Sequence, residues 1–140
     1  MMNISSCVSC GSKQLAKFEG RSLIANQQYI DLSVHGLSGI ECLEADCKEV
    51  VFTDESAERY SEAQDKALNI YRGKELRRIR KKLGLTQIQM VQRVSGGGHN
   101  AVSRYEKGDV AIPNPLWILV VLLDKKPELL SELTHRISGN

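Results

Sequence analysis

Apolar and polar residues alternate in the first third of the chain, which is typical of half-buried β-strands. The clearest alternation covers residues 30–35 and predicts a strand there. The segments 15–18, 22–25 and 49–52 show strand patterns less strongly. Together they predict a small sheet with few large apolar residues. Such a domain buries too little surface to be stable without a further cross-link.

Beyond residue 52 the apolar residues recur at spacings of three and four, which indicates helices. Thr53 and the two acids after it should begin a helix that ends near Tyr71, because a hydroxyl and negative charges favour a helix N-terminus. Gly73 is the expected joint to the helices that follow. These are predicted over 74–83, 86–94, 99–107 and 116–124, and from Pro127 through Leu130, Leu133 and Ile137.

The chain is therefore predicted to be α+β, with two domains that meet at about residue 72. Residues 1–72 should form the small β-rich domain with a trailing helix, and residues 73–140 an all-α domain of five helices. The longest apolar run, 116–123, has eight residues and is too short to span a bilayer. The first residues also lack the basic start and apolar run of a secretory signal. We therefore expect no membrane association and a cytoplasmic location.

All four cysteines lie in the first 47 residues and form two close pairs. Cys7 and Cys10 are separated by two residues and Cys42 and Cys47 by four, spacings that suit a four-thiolate structural zinc site. One alternative is two disulfides, which a reducing cytoplasm disfavours. Another is a redox pair at Cys7 and Cys10, which leaves the other two cysteines unexplained. We expect one structural Zn²⁺ per chain, with His35 outside the ligand set.

The number of cysteines also argues against catalysis. A catalytic zinc keeps an open coordination position, and four thiolates close it. The run Gly96-Gly97-Gly98 lacks the Gly-Lys-Ser/Thr ending of a nucleotide-binding loop, and no Ser/His/Asp arrangement is apparent. The sequence therefore predicts a protein that is not an enzyme.

Charge divides the chain into an acidic half and a basic half. Residues 1–70 contain 6 Lys/Arg and 11 Asp/Glu, a net charge of −5, whereas residues 71–140 contain 13 and 6, a net charge of +7. A basic surface suits a polyanion, and an acidic surface does not. The two halves are thus expected to have different partners, and only the second should bind nucleic acid.

The segment 86–108 predicts two short helices joined by a tight turn of three glycines. Thr86 and Gln89 have the spacing of a capping box at the start of the first helix. Val102 and Tyr105 form the apolar side of the second helix. Its opposite side carries Asn100, Ser103, Arg104 and Lys107. Because Arg matches guanine and Asn matches adenine through paired hydrogen bonds, this side is suited to DNA.

These helices resemble the Xre/Cro-type helix-turn-helix family through Leu85-Thr86-Gln87, residues 102–108 and Pro113. The resemblance implies binding to double-stranded DNA, with base contacts from Asn100 and Arg104. An ordinary helical hairpin with a solvated polar side is the alternative. Contacts to the DNA backbone or secondary contacts are expected from Arg77, Arg78, Lys81, Thr86, Gln87, His99, Ser103 and Lys107. The helix over 74–83 is expected to expose all its basic residues beyond Lys74, namely Arg77, Arg78, Arg80, Lys81 and Lys82.

The helix over 116–124 is apolar on all sides. One side can cover the core of the second domain, and the other would stay exposed, as at a partner surface. Helix-turn-helix proteins commonly reach two half-sites of DNA as two-fold dimers. We therefore expect a homodimer formed through the C-terminal domain.

The order of these parts resembles the MqsA family of bacterial antitoxins over nearly the whole chain. The similarity is greatest within residues 79–108 and 123–130. It implies a structural zinc, an N-terminal domain that neutralises an mRNA-cleaving toxin, and a C-terminal dimer that represses its own operon at a palindrome. It also implies a bacterial cytoplasmic protein that joins the nucleoid when bound to its operator. The four residues within the second cysteine pair depart from the two of the family.

A stand-alone Xre-type transcriptional regulator is the alternative hypothesis, with a zinc module that stabilises the chain or binds another protein. Gene neighbourhood separates the two hypotheses, since an antitoxin gene should lie beside a small toxin gene. Four thiolates around one Zn²⁺ would make residues 1–70 still more acidic. Such a surface suits a basic, RNA-binding toxin and should repel DNA.

Overall fold

The computed structural model describes residues 3–27 and 30–138, with side chains up to residue 133. The chain divides into two compact units, Met1–Ala67 and Leu68–Asn140. A three-stranded antiparallel sheet precedes five α-helices, which confirms the predicted α+β class. No helix in the described part of the chain is both long and apolar enough to cross a membrane.

A long β-hairpin forms most of the sheet. Strand β1 (Leu15–Gln27) pairs antiparallel with β2 (Ile30–Cys42), and β3 (Val50–Phe52) pairs with the last residues of β2. The strand predicted at 30–35 is the first half of β2, and the strand predicted at 49–52 is β3. Both predictions are confirmed.

The segments 15–18 and 22–25 are predicted as two strands, but the structure has one. The register of pairing shifts between Phe18 and Leu23, which marks a bulge. Gly20, inside the bulge, has a φ of 68°, a conformation that glycine adopts without strain. A bulge and a turn have similar composition, so the residue pattern alone does not distinguish them.

The core of the first unit is small and contains Ala25, Val34 and Leu37. The first turns of a helix that begins at Asp54 cover it, and Tyr60 packs against it. Only one of these three residues is larger than valine, and Phe18 and Ile40 are buried outside the cluster. The sparse core agrees with the expectation that this unit needs a cross-link.

Helix α1 (Asp54–Lys82) is continuous over 29 residues, so the predicted helix end near Tyr71 and the predicted new helix from residue 74 are wrong. Gly73 is buried where α1 passes α3 (Ala101–Glu106). A Cβ added at Gly73 would lie 2.4 Å from the carbonyl oxygen of Tyr105 and 2.8 Å from that of Glu106. The glycine therefore permits close packing of two helices and does not interrupt one. Its cost in helix propensity is about 1 kcal/mol.

The second unit contains the last part of α1 and four further helices. These are α2 (Gln87–Met90), which continues as a π-helical turn (Val91–Ser95), then α3, α4 (Asn114–Lys125) and α5 (Leu129–Ser138). The side chain of Ile137, predicted to belong to the apolar repeat of α5, lies outside the described residues. The buried core consists of Leu76, Ile79, Leu85, Met90, Val91, Val102, Ile112, Val120, Leu123 and Leu130.

The predicted capping box at the start of α2 is confirmed. The Thr86 hydroxyl accepts a hydrogen bond from the Gln89 N–H at 3.1 Å, and the Gln89 side-chain oxygen accepts from the Thr86 N–H at 2.9 Å. The helix predicted over 99–107 is shorter and begins at Ala101. Capping interactions are local, and for that reason the residue spacing is sufficient to predict them.

A buried ion pair joins α1 to α3. Arg80 Nε donates to Glu106 Oε1 at 2.8 Å, and the two side chains are only 11% and 5% exposed. Arg80 also donates to the Leu85 carbonyl at 2.8 Å, and the Gln87 side-chain amide donates to the second oxygen of Glu106. The prediction that Arg80 is exposed is wrong, because its partner lies 26 residues further along the chain. This cluster connects α1, α2 and α3.

Replacing Gly73 with alanine should lower the free energy of unfolding by about 1–3 kcal/mol, although alanine is the better helix former. The added methyl group would have to displace the backbone of α3. Gly98→Ala is the matched control, because a Cβ at Gly98 meets nothing within 4 Å. Its effect should stay below about 0.5 kcal/mol. Chemical denaturation measures both, and equal stabilities for the two variants would contradict the close packing.

Candidate metal centre and candidate nucleic-acid interface

Two loops carry the four cysteines. The first knuckle is residues 7–12, and the second knuckle is residues 42–48, which begins at the last residue of β2. The backbone holds the second knuckle in place, because the Cys42 N–H donates to the Glu49 carbonyl at 2.8 Å. This hydrogen bond ties the knuckle to the sheet, so the sheet determines where the second pair of sulfurs lies.

The two knuckles are closed by the same kind of backbone hydrogen bond. In the first, the Gly11 N–H donates to the Cys7 carbonyl at 2.9 Å, and in the second the Lys48 N–H donates to the Glu44 carbonyl at 3.1 Å. The closing residues have positive φ values of 75° at Gly11 and 53° at Lys48. Lysine rarely adopts this conformation, so the surrounding bonds must hold it there.

The knuckles bring all four sulfurs within 4.8 Å of one another. The Cys7–Cys47 and Cys10–Cys42 sulfur distances are both 3.6 Å. Four sulfurs around a tetrahedral zinc, each about 2.3 Å from the metal, lie roughly 3.8 Å apart, whereas a disulfide bond is about 2.0 Å long. All four thiols are free. The group therefore fits one tetrahedral metal ion.

Their surroundings give the thiols different acidities. The backbone N–H groups of Cys10 and Ser9 lower the pKa of Cys7 to about 7. The N–H of Glu44 also lowers the pKa of Cys42, but burial and the neighbouring thiols outweigh it and raise that pKa to about 12. Cys7 is thus readily ionised. Cys42 needs a nearby cation to ionise, which a bound metal would supply.

His35 does not belong to the cysteine group. Its Nδ1 lies 2.7 Å from the Ser22 hydroxyl, across the β-hairpin. Among the described residues, the potential metal ligands that cluster together are the four cysteines.

Helix α3 buries one side and exposes the other. Val102 is fully buried, and Tyr105 packs against the core of the second unit. Asn100 and Arg104 are exposed, and Asn100 makes no side-chain capping bond although it directly precedes the helix. Their hydrogen-bonding groups are therefore available to a ligand. Of the remaining candidate contacts in and beside α3, Ser103 is half-buried, whereas His99 and Lys107 are exposed.

The side chains of the two candidate DNA contacts at the start of α2 already make hydrogen bonds within the chain. The Thr86 hydroxyl accepts the capping bond from Gln89, and the Gln87 amide donates to Glu106. Thr86 keeps its hydroxyl hydrogen, and Gln87 keeps its amide oxygen and a second N–H. Their contacts to DNA remain predictions.

The basic residues of α1 fall into two groups. Arg77 and Lys81 are exposed, and no ion pair of theirs occurs within the described residues. Arg78 instead pairs with Glu75 and with Asp124, both at 2.8 Å. These two carboxylates raise the pKa of Arg78 above its usual range. The phosphate contact expected of Arg78 would have to compete with them.

Asp124 in α4 neutralises a second cation of α1. Lys82 lies 2.9 Å from its carboxylate. Hydrogen bonds from Arg78 and Lys82 lower the pKa of Asp124 to about 2, so this carboxylate stays ionised. The sequence does not reveal this role, because Asp124 is 46 residues from Arg78.

An apolar groove of about 310 Å³ lies between α4 and α5. Val120 and Leu123 face the core, whereas Ile118 is 67% and Leu122 is 44% exposed. The expectation that α4 is apolar on its exposed side as well is therefore confirmed. The groove is lined by Leu119, Leu122, Leu123, Leu129, Glu132 and Leu133.

Comparison with known proteins identifies the family. Residues 5–134, which include both units, match the family described as the antitoxin component of bacterial toxin-antitoxin systems, MqsA. The antitoxin MqsA of Escherichia coli (strain K12) is 40% identical over 105 residues, which cover 70% of this chain and 76% of that protein. The chain therefore belongs to the MqsA family and is the antitoxin component of a toxin-antitoxin system.

Proposed function

We propose that this antitoxin neutralises a cognate toxin through its first unit and represses its own operon through its second. The exposed polar side of α3, with Asn100 and Arg104 free to bind, carries the proposal. Val102 and the Arg80–Glu106 pair fix this helix from behind. As a repressor, the protein would act in the bacterial cytoplasm, at the nucleoid.

Asn100 and Arg104 would contact base edges in the major groove, and the surrounding polar residues would hold the DNA backbone. An arginine binds guanine O6 and N7, and an asparagine binds adenine N6 and N7. Arg77 and Lys81 are better candidates for phosphate contacts than Arg78, whose charge is shared with Glu75 and Asp124.

Arg104→Ala should weaken binding to the DNA upstream of its own gene by about 1–3 kcal/mol per half-site and relax base preference. Arg77→Ala should weaken binding to all sequences and flatten the salt dependence, because a phosphate contact carries no sequence information. Titrations of operator and scrambled DNA at several salt concentrations distinguish the two. If Arg104→Ala behaves like Arg77→Ala, Arg104 does not contact a base.

A homodimer would place two α3 helices on the two halves of a palindrome. The exposed apolar residues of α4 and the groove beside them support a second copy of the chain as their partner. Apolar surface of this kind is costly to leave in water and is usually covered by a partner.

Ile118→Glu should convert the dimer to a monomer at micromolar concentration, because a buried carboxylate without a partner is strongly unfavourable. Ile24→Glu is the matched control, since Ile24 is 58% exposed but belongs to the first unit. Analytical ultracentrifugation measures both. A dimeric Ile118→Glu variant would locate the interface elsewhere.

Zinc is the metal that we assign to the cysteine group. Four thiolates and a tetrahedral arrangement favour Zn²⁺ over metals that prefer oxygen ligands. Cys7, Cys10, Cys42 and Cys47 would hold one ion with no open position. Its contribution would be structural, since it would cross-link the two knuckles of a unit that has few buried side chains.

Protein purified without chelators should contain one zinc per chain, and Cys47→Ser should lose most of it. Removal of the metal should increase hydrogen exchange in residues 1–52 and leave residues 68–140 protected, because only the second unit has a large core of its own. Metal analysis and exchange mass spectrometry measure the two effects. Metal-free protein with two disulfides would refute the assignment.

The acidic first unit would bind the toxin. Residues 1–70 carry a net charge of −5, and four thiolates around Zn²⁺ would add −2. An RNA-cleaving toxin needs a positive surface to hold its substrate, so the charges would be complementary. The first unit would cover that surface or block access to it.

Residues 1–70, co-expressed with the product of the neighbouring small gene, should restore growth that this product alone inhibits. The isolated segment should not bind operator DNA, because it is acidic and lacks α3. Residues 71–140 form the matched control and should bind DNA without restoring growth. If the neighbouring product is harmless, or if rescue needs residues 71–140, a stand-alone regulator would replace the proposed antitoxin mechanism.

A further inference from the structure

The second knuckle is closed by a residue that is not a cysteine. In the first knuckle, the carbonyl that closes the turn belongs to Cys7, which also supplies a sulfur. In the second, the equivalent carbonyl belongs to Glu44. The sulfur comes from Cys42, two residues earlier, at the end of β2. Glu44 thus occupies a position next to the metal ligands without being one of them.

Glu44 accepts hydrogen bonds from both knuckles. Its carbonyl accepts the N–H groups of Cys47 and Lys48, both at 3.1 Å. Its carboxylate accepts the hydroxyl of Ser12 at 2.7 Å. The carbonyl of Ser12 in turn accepts the N–H of Cys7 at 2.8 Å. The side chains of Ser12 and Glu44 therefore contact each other, and each of these residues also binds the N–H of one metal ligand. Ser12 binds that of Cys7, and Glu44 binds that of Cys47.

We propose that Glu44 is a positioning residue of the metal centre, which holds the two knuckles at the separation that four thiolates require. The inference rests on the proposed zinc site. The second cysteine pair encloses four residues, so more chain must be ordered for its sulfurs to converge. A hydrogen bond to a carboxylate is stronger than one between neutral groups, and it can offset part of that ordering cost.

Competition with a chromophoric chelator measures the Zn²⁺ affinity of the full-length chain. Glu44→Ala should raise the dissociation constant about threefold to tenfold, because it removes an outer hydrogen bond that orders the ligands. Glu44→Gln should lose less affinity than Glu44→Ala, since the amide oxygen still accepts the Ser12 hydroxyl, though more weakly than a carboxylate does. Rescue by the conservative variant separates positioning from simple attraction between the carboxylate and the metal.

Asp46→Ala is the matched control. Asp46 lies in the same loop, borders the same surface depression beside Cys10 and Cys47, and carries the same charge. No hydrogen bond joins its side chain to the first knuckle within the described residues. Its replacement should leave the affinity within about twofold of the wild type. Ser12→Ala also removes the hydrogen bond that Ser12 Oγ accepts from the Gln14 N–H at 3.0 Å, so it should lose at least as much as Glu44→Ala. The double variant should lose no more than Ser12→Ala alone.

Equal losses in Glu44→Ala and Asp46→Ala would show that charge alone matters and would overturn the inference. Additive losses in the Ser12/Glu44 double variant would do the same. Wild-type protein that binds no zinc would overturn the metal centre and this role together. Zinc-binding wild type with an unchanged Glu44→Ala variant would overturn the role of Glu44 alone. Hydrogen exchange in residues 68–140 checks that each variant keeps its folded second unit.

Discussion

A largely buried ion pair between Arg80 and Glu106 connects α1 to α3, the helix that carries Arg104. Transferring two charges from water is costly, and the pair is tolerated because each partner makes a further hydrogen bond, to Leu85 and Gln87. Loss of one partner would leave an uncompensated buried charge, at about 3–5 kcal/mol. The orientation of α3, and with it Arg104, thus depends on charged groups that are buried within the protein.

The two units reach stability by different means. The second has a core of ten buried apolar residues, to which α1, α2, α3, α4 and α5 all contribute. The main cluster of the first has three, none of them aromatic, and Phe18 and Ile40 are buried outside that cluster. A metal ion bonded to the four sulfurs would supply a cross-link that compensates for this small core.

Sequence reasoning succeeded where the deciding interactions are local. The alternation at 30–35 and the Thr86–Gln89 capping box involve near neighbours, and both occur as predicted. The prediction of a helix break at Gly73 was wrong, because a glycine is needed there to pack against the carbonyl of Tyr105, which is distant in sequence. The predicted exposure of Arg80 was wrong for the same reason, since its partner Glu106 is also distant in sequence. The cysteine spacing predicted the ligand cluster, but residue types alone gave no sign of Glu44, whose bonds depend on the folded loops.

All four cysteines precede Lys48, and the second unit begins only at Leu68. A ribosome therefore releases the complete set of metal ligands before it has made any residue of α3. With metal available, the first unit can close while the rest of the chain is still being synthesised. Under the proposed function, newly made antitoxin would then be able to capture toxin before it is able to repress transcription, so the two proposed activities would be separated in time as well as in position along the chain.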